Sequence, residues 1–139
     1  MAQQIHLEVV TPAGQLVSED VDIVTAPGTS GEFGVLAHHA NYLTTIKTGV
    51  LSFKTDKQLK YMMVSEGFAE VSDNTVTFLV ESAEYGYDID VKRAMQAKER
   101  AERRLIQAQA HDEDLNRIQV EAALHRAVAR LAAAERSKL

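Results

Sequence analysis

Cysteine and tryptophan are absent from the 139 residues, and proline occurs only twice. Without a thiol the chain can form no disulfide, zinc–thiolate centre, iron–sulfur cluster or cysteine nucleophile. No apolar run approaches the roughly 20 residues of a membrane-spanning helix. The opening MAQQIHLEVV has no basic flank, no apolar stretch and no small-residue cleavage site, so no secretory signal is read and a cytoplasmic address is expected. Two further absences divide the chain. Arginine is missing from residues 1–87, and glycine and proline are missing from residue 88 onward.

Charge divides at the same place. The net charge of −5 argues against a nucleic-acid binder. Residues 1–87 carry four lysines against eleven carboxylates, and residues 88–139 carry eleven cations against nine. Two parts with different surfaces and partners are expected, 1–87 and 88–139.

The first part reads as strands. Ile5, Leu7 and Val9 alternate with His6 and Glu8, the period of a half-buried strand. Thr11-Pro12-Ala13-Gly14 marks a turn, and Val21 to Ala26 is a run stopped by Pro27-Gly28. Further β-favouring runs are 42–46, 50–53, 59–64, 68–71 and 76–80, separated by Thr48-Gly49, Thr55-Asp56, Glu66-Gly67 and Asp73-Asn74. Short strands at this spacing indicate an antiparallel β-sandwich or barrel.

The second part is made of good helix formers. Asp88 or Asp90 can cap a first helix, on which Ala94, Ala97, Ala101, Leu105 and Ala108 form one face. His111-Asp112-Glu113-Asp114 breaks the pattern, and Asp112 or Asp114 can cap a second helix. Its expected stripes are Leu124, Val128 and Leu131, and Leu115, Ile118 and Ala122. A short connection makes an antiparallel two-helix hairpin. An alanine-rich seam buries little apolar area, so the hairpin is expected to be detachable, with a permanently docked hairpin as the alternative.

Catalytic motifs are scarce. Gly28, Gly31 and Gly34 lack the spacing of a dinucleotide fingerprint and read as positive-φ turns in a loop. His38 and His39 would point to opposite faces of an extended segment, and His6, His111 and His125 are scattered, so no metal site is expected. The arginines are more informative. Arg93 and Arg100 share a face of the first helix, and Arg126 and Arg130 share one of the second. Folded antiparallel, they can converge on a polyanion. The alternative is a solvated face with pairs such as Glu99–Arg103 and Glu121–His125.

Taken together, the motifs form an ordered series. Val9-Val10-Thr11-Pro12-Ala13-Gly14 is followed by Ala26-Pro27-Gly28-Thr29-Ser30-Gly31-Glu32-Phe33-Gly34-Val35-Leu36 and His38-His39-Ala40. Thr48-Gly49-Val50-Leu51, Glu66-Gly67-Phe68-Ala69-Glu70-Val71 and Ile89-Asp90-Val91-Lys92-Arg93-Ala94 complete it. The series resembles the epsilon subunit of bacterial F-type ATP synthases over nearly the whole chain. Ala37 departs from it, where a proline is common, and puts only local loop rigidity in question.

The resemblance implies a sandwich of about ten strands followed by two helices, forming a rotor subunit with no active site of its own. It implies binding to the gamma subunit and the c-ring, with Glu32 facing the ring and His39 in the segment facing gamma. It implies a hairpin that extends among alpha and beta subunits to block ATP hydrolysis. It also implies an address on the cytoplasmic face of the plasma membrane, held there only through the complex. Some members bind ATP in the compact state through Ile/Leu-Asp-x-x-Arg-Ala, which Ile89, Asp90, Arg93 and Ala94 match. Glu84, Arg100, Arg126 and Arg130 are further matches. ATP is then a regulatory ligand, and no cofactor is required. A nucleotide-sensing module, an enzyme of another type and an RNA-binding helical tail are the competing readings.

Overall fold

The computed structural model describes residues 3–111 and 114–138, with side chains outside 109–115. Ten strands make one continuous sheet folded on itself: β1 (Ile5–Thr11), β2 (Gly14–Val21), β3 (Ile23–Gly28), β4 (Gly31–Leu36), β5 (Tyr42–Ile46), β6 (Gly49–Thr55), β7 (Gln58–Val64), β8 (Gly67–Ser72), β9 (Thr75–Val80) and β10 (Ala83–Tyr85). Their order is β10-β7-β6-β3-β5-β8-β9-β1-β2, with β4 paired to β3. Neighbours are antiparallel except β1 and β9, which run parallel.

Alternation places the core. Ile5, Leu7 and Val9 of β1, Leu51 and Phe53 of β6, and Val76 and Phe78 of β9 all face inward and are buried in one cluster. In β7 the alternation is hidden, because Met62, Met63 and Val64 are all fully buried. Met62 and Val64 enter the sandwich core, whereas Met63 points the other way and is covered by a helix.

Several strands were not legible as runs. β2 carries polar residues on its outward side and Glu19 among its inward valines, and β4 is interrupted by two glycines. Pro27-Gly28 does not stop β3 but completes it: Pro27 pairs with Glu32, and its carbonyl accepts the Lys47 N–H at 2.9 Å. Proline is tolerated there because the position needs no N–H of its own. Of the three spaced glycines only Gly31 takes a left-handed backbone, with φ +129°, so Gly28 and Gly34 are strand residues rather than loop hinges.

A 3-10 turn (Gly86–Asp88) leads into α1 (Val91–His111), followed by α2 (Asp114–Arg136). Asp90, not Asp88, caps α1: its Oδ1 accepts the Arg93 N–H at 3.0 Å. The expected caps Asp112 and Asp114 and the stripe residue Leu115 lie outside the described residues or side chains. On α1 the alanine face is as expected, with Ala94, Ala101 and Ala108 buried. On α2 the expected stripes are only partly buried, with Leu124, Leu131 and Ala122 half-buried and Leu131 packed at the docking seam. Ile118 and Val128 are exposed, and Ala127, Ala129, Ala133 and Ala134 are buried instead. The cause is geometric. α2 packs against α1 on one side and against β6 and β7 on another, so small residues on two faces serve it better than one stripe of large ones.

Candidate functional site: the interhelical cleft

The antiparallel packing of α1 on α2 leaves an open cleft of about 670 Å³ between the two helices. Its apolar lining is Ala97, Ala101 and Ala108 from α1, and Val120 and Ala123 from α2. Its rim is cationic. Arg100 and Arg104 come from α1, Arg126 and Arg130 from α2, and Gln107, Asn116 and Gln119 also line it. The lining residues of α2 at positions 119, 123, 126 and 130 follow the three-and-four spacing of one helix face. Among the described residues no carboxylate lines the cleft. Four guanidinium groups around an apolar lining suit a flat apolar group carrying phosphates.

The sequence-proposed residues divide into three kinds of position. Arg100, Arg126 and Arg130 line the cleft. Arg93 shares α1 with Arg100 but is exposed and outside the cleft, because seven residues carry it roughly 10 Å along the axis. Ile89 and Ala94 are buried beneath α2 with Met63, Ala129, Ala133 and Ala134, and Asp90 is the helix cap. These three residues of the Ile-Asp-x-x-Arg-Ala motif thus build and dock the start of α1. Glu84, on β10, stands outside the cleft but reaches into its rim, where Oε1 accepts the Arg130 Nε–H at 2.7 Å. Arg104 was missed. Its spacing of four from Arg100 was the available signal. Among the described residues neither Glu99–Arg103 nor Glu121–His125 forms an ion pair.

Arg126 also borders a second, smaller hollow of about 350 Å³ between α2 and the sandwich, with Thr48, Ser65, Glu66, Glu81 and Ser82. Ser65 is buried; its hydroxyl makes three hydrogen bonds to Ser82 and its N–H donates a fourth to the Ser82 carbonyl, which fix the turn between β9 and β10.

At another part of the sandwich, Glu32 is exposed on β4. His39 is half-buried; its Nδ1–H donates to the Ala40 carbonyl at 2.7 Å, and its ring lies 6.0 Å from that of Tyr42. The preceding His38 has φ 63°, and its N–H is held by Asn74 Oδ1 at 2.9 Å. Asn74 Nδ2 in turn donates to the Gln4 carbonyl, so one side chain ties the histidine loop to the first strand.

Strand register also assembles a group that sequence reading treated as scattered. His6 Nδ1 lies 2.9 Å from Asp20 Oδ1, and its Nε2 lies 3.2 Å from Ser18 Oγ and 3.5 Å from Glu8 Oε1. The order is that of a nucleophile, base and acid, but Asp20 is 66% exposed and the group stands on an open sheet face. A surface polar network is the chemistry it supports. Among the described residues no group of three or more His, Asp or Glu is placed to hold a metal ion.

At the junction of the two parts, Tyr85 and Tyr87 stack with centroids 5.0 Å apart. Burial pushes the Tyr85 phenol above its ordinary value of 10.0, helped by Tyr87, Glu19 and Asp88.

Comparison with known proteins places these features. Residues 4–86 match the beta-sandwich domain of the ATP synthase delta/epsilon chain, and residues 88–135 match its long alpha-helix domain. An ATP synthase epsilon chain of Nitratidesulfovibrio vulgaris is 49% identical over 131 residues, covering 94% of this chain and 96% of that one. An ATP synthase epsilon chain of Syntrophobacter fumaroxidans is 47% identical over 137 residues, covering 99% and 100%. Among solved structures, a chain of the Euglena gracilis mitochondrial ATP synthase F1/c-ring assembly superposes with a TM-score of 0.80 at 30% identity. It covers 94% of this chain and 81% of that one.

Proposed function

Since the chain belongs to the ATP synthase delta/epsilon family, as an epsilon chain of the F-type central stalk, we propose that it is a non-catalytic rotor subunit whose hairpin regulates ATP hydrolysis. The sandwich joins the gamma subunit to the c-ring, and the hairpin leaves the sandwich to enter the alpha and beta subunits. The address is the cytoplasmic face of the plasma membrane, reached through the complex. No helix among the described residues is long and apolar enough to cross a membrane.

The observation that carries the regulatory reading is the thinness of the docking seam. Against the sandwich, α2 and the start of α1 bury Ile89 and a row of alanines on Met63, with Val50 and Leu131 at the edge. Among the described residues one ion pair, Arg130–Glu84, crosses the same junction. Each buried methyl-sized group contributes roughly 0.8 kcal/mol, so a seam of alanines is weak enough for a partner or ligand to shift.

The rotor reading is supported by the outer sheet face. Phe68 and Leu79 are direct cross-strand neighbours, 56% and 53% exposed, and Val10 pairs with Leu79 on the next strand. Leu43, 69% exposed, stands on β5 beside them. An exposed apolar row of this kind marks a protein interface, here for gamma.

The arginine-rimmed cleft supports ATP as the ligand that holds the hairpin compact. It would stabilise that form by mass action and relieve inhibition. Glu84, Ile89, Asp90, Arg93, Ala94, Arg100, Arg126 and Arg130 remain the proposed set, with Ile89, Asp90 and Ala94 acting through helix placement.

The test is to add the purified chain to catalytic complex lacking its epsilon subunit. Hydrolysis should fall, and should fall less when the chain is first saturated with ATP. The Arg126→Ala chain should inhibit irrespective of ATP. An unchanged hydrolysis rate with the parent chain would count against the inhibitory role.

A further inference from the structure

Two residues join β8 to β9. Ser72 pairs with Thr75, and Asp73 and Asn74 between them are both left-handed, with φ 51° and 55°. This is the tight hairpin turn in which glycine is the least strained second residue. Asparagine stands there instead, with both ends of its side-chain amide engaged. Oδ1 accepts the His38 N–H at 2.9 Å, and Nδ2 donates to the Gln4 carbonyl at 3.0 Å. The turn itself needs neither contact. β6 and β7 are joined the same way through Asp56 (φ 47°) and Lys57 (φ 73°), and among the described residues neither of those side chains makes a hydrogen bond.

The residue that Asn74 holds is itself strained. His38 is left-handed at φ 63°, in a turn closed by the His39 N–H on the Leu36 carbonyl at 3.2 Å. A residue with a side chain keeps such a backbone only where its surroundings hold it. Among the described residues, the Asn74 bond is the one hydrogen bond that reaches residues 37–41 from a distant part of the chain.

Residues 37–41 lead straight into β5. There Leu43, 69% exposed, pairs with Glu70, and Thr45 pairs with Phe68, so Leu43 shares the outer face of the apolar row. A stable interface takes about 800 Å² from each partner. Val10, Leu43, Phe68 and Leu79 are partly exposed side chains and supply only part of that. A protein seated on them must also cover the segments beside them, and the segment beside Leu43 is the loop that carries His39, whose ring lies 6.0 Å from that of Tyr42.

We propose that Asn74 is a positioning residue for the gamma contact, resting on the rotor reading of that face: acting through the His38 N–H, it fixes residues 37–41 in the shape that the partner meets. Its side chain serves the neighbouring loop rather than its own turn.

The full chain, Asn74→Gly and Asn74→Asp are compared by binding to surface-immobilised gamma, amide hydrogen exchange and proton NMR of the histidine rings. Asn74→Gly keeps the turn and removes both amide contacts. Its thermal midpoint should stay within about 4 °C of the parent. Exchange at the His38 N–H should quicken about tenfold, the His39 ring signals should shift, and gamma affinity should fall about threefold to tenfold. Asn74→Asp keeps an Oδ1 for the His38 N–H and loses only the donor to Gln4. It should retain the His38 protection and bind gamma within about twofold of the parent.

Parent-like gamma affinity in Asn74→Gly would overturn the positioning role while leaving the apolar row as the gamma face. Equal losses in Asn74→Asp and Asn74→Gly would overturn it too, by assigning the effect to the Gln4 contact. A collapse of the thermal midpoint in Asn74→Gly would make the amide a support of the fold instead. Failure of the parent to bind gamma would overturn the rotor reading, and the positioning role with it.

Discussion

Gly86 lies directly against the backbone of Ala133: a side-chain carbon at position 86 would overlap the Ala133 carbonyl oxygen and Ser137 Oγ. The last turns of α2 can reach the sandwich only because neither residue presents bulk there. Gly86→Ala should therefore shift the hairpin toward the undocked form, at a cost of about 1–3 kcal/mol for overpacking. Amide exchange over residues 129–138 should rise steeply while the sandwich, whose core is a separate cluster, keeps its protection. Unaltered protection in α2 would show that the contact does not control docking.

Phe68 and Leu79 project from the sheet and contribute little to the fold. The double change Phe68→Ser/Leu79→Ser should alter thermal stability by less than about 0.5 kcal/mol per site. If gamma docks on this row, loss of two apolar anchors should weaken the association by a factor of about thirty or more, since one hot-spot residue carries about 2 kcal/mol. Surface-immobilised gamma measures it, and parent-like affinity would place the interface elsewhere.

Asp90 caps α1 through the Arg93 N–H. Asp90→Ala should cost about 1 kcal/mol of helix stability. Far-UV circular dichroism should show earlier melting of the helical signal, with Asp90→Asn retaining most of the parent value. Equal melting of parent and Asp90→Ala would remove the cap from the account.

Tyr85 gives a pH dependence whose sign follows from its shift. Burial raises the folded-state phenol above 10.0, so the native chain holds that proton more tightly than the unfolded one. The stabilisation is fully present below pH 10 and is lost as pH rises from there through the folded value. Thermal unfolding between pH 9 and about 11.5 should fall more steeply in the parent than in Tyr85→Phe. Parallel curves for the two proteins would contradict the assignment.

The arginine cleft was partly written in the sequence. Helical spacing placed Arg126 and Arg130 on one face and Arg100 opposite them, because three-and-four periodicity survives folding. It overreached at Arg93, since sharing a face does not mean sharing a depth along the axis. The strands Val76–Val80 and Ile5–Val9 were plain because their inward residues are uniformly apolar. β2 was not, because Glu19 occupies an inward position and breaks the alternation. α2 misled for a different reason. Its buried residues are alanines serving two neighbours, whereas the large Ile118 and Val128 face outward, so size was a poor guide to burial. The Glu84–Arg130 contact joins residues 46 positions apart, beyond the reach of any local pattern.

The parallel ladder of β1 on β9, from His6 opposite Thr75 to Val10 opposite Leu79, sets the order in which the chain can become native. β1 leaves the ribosome before the other nine strands of the sheet, yet one of its edges stays unpaired until β9 has been made. Closing so long a loop is slow, and it delays the sheet relative to local hairpins such as β6–β7 and β8–β9. The helices are synthesised last, and their seat on β6, β7 and Gly86 is complete only after the sheet closes. Nascent chains truncated before β9 should accordingly be sensitive to protease throughout β1, and chains that include it should be resistant there before either helix has formed.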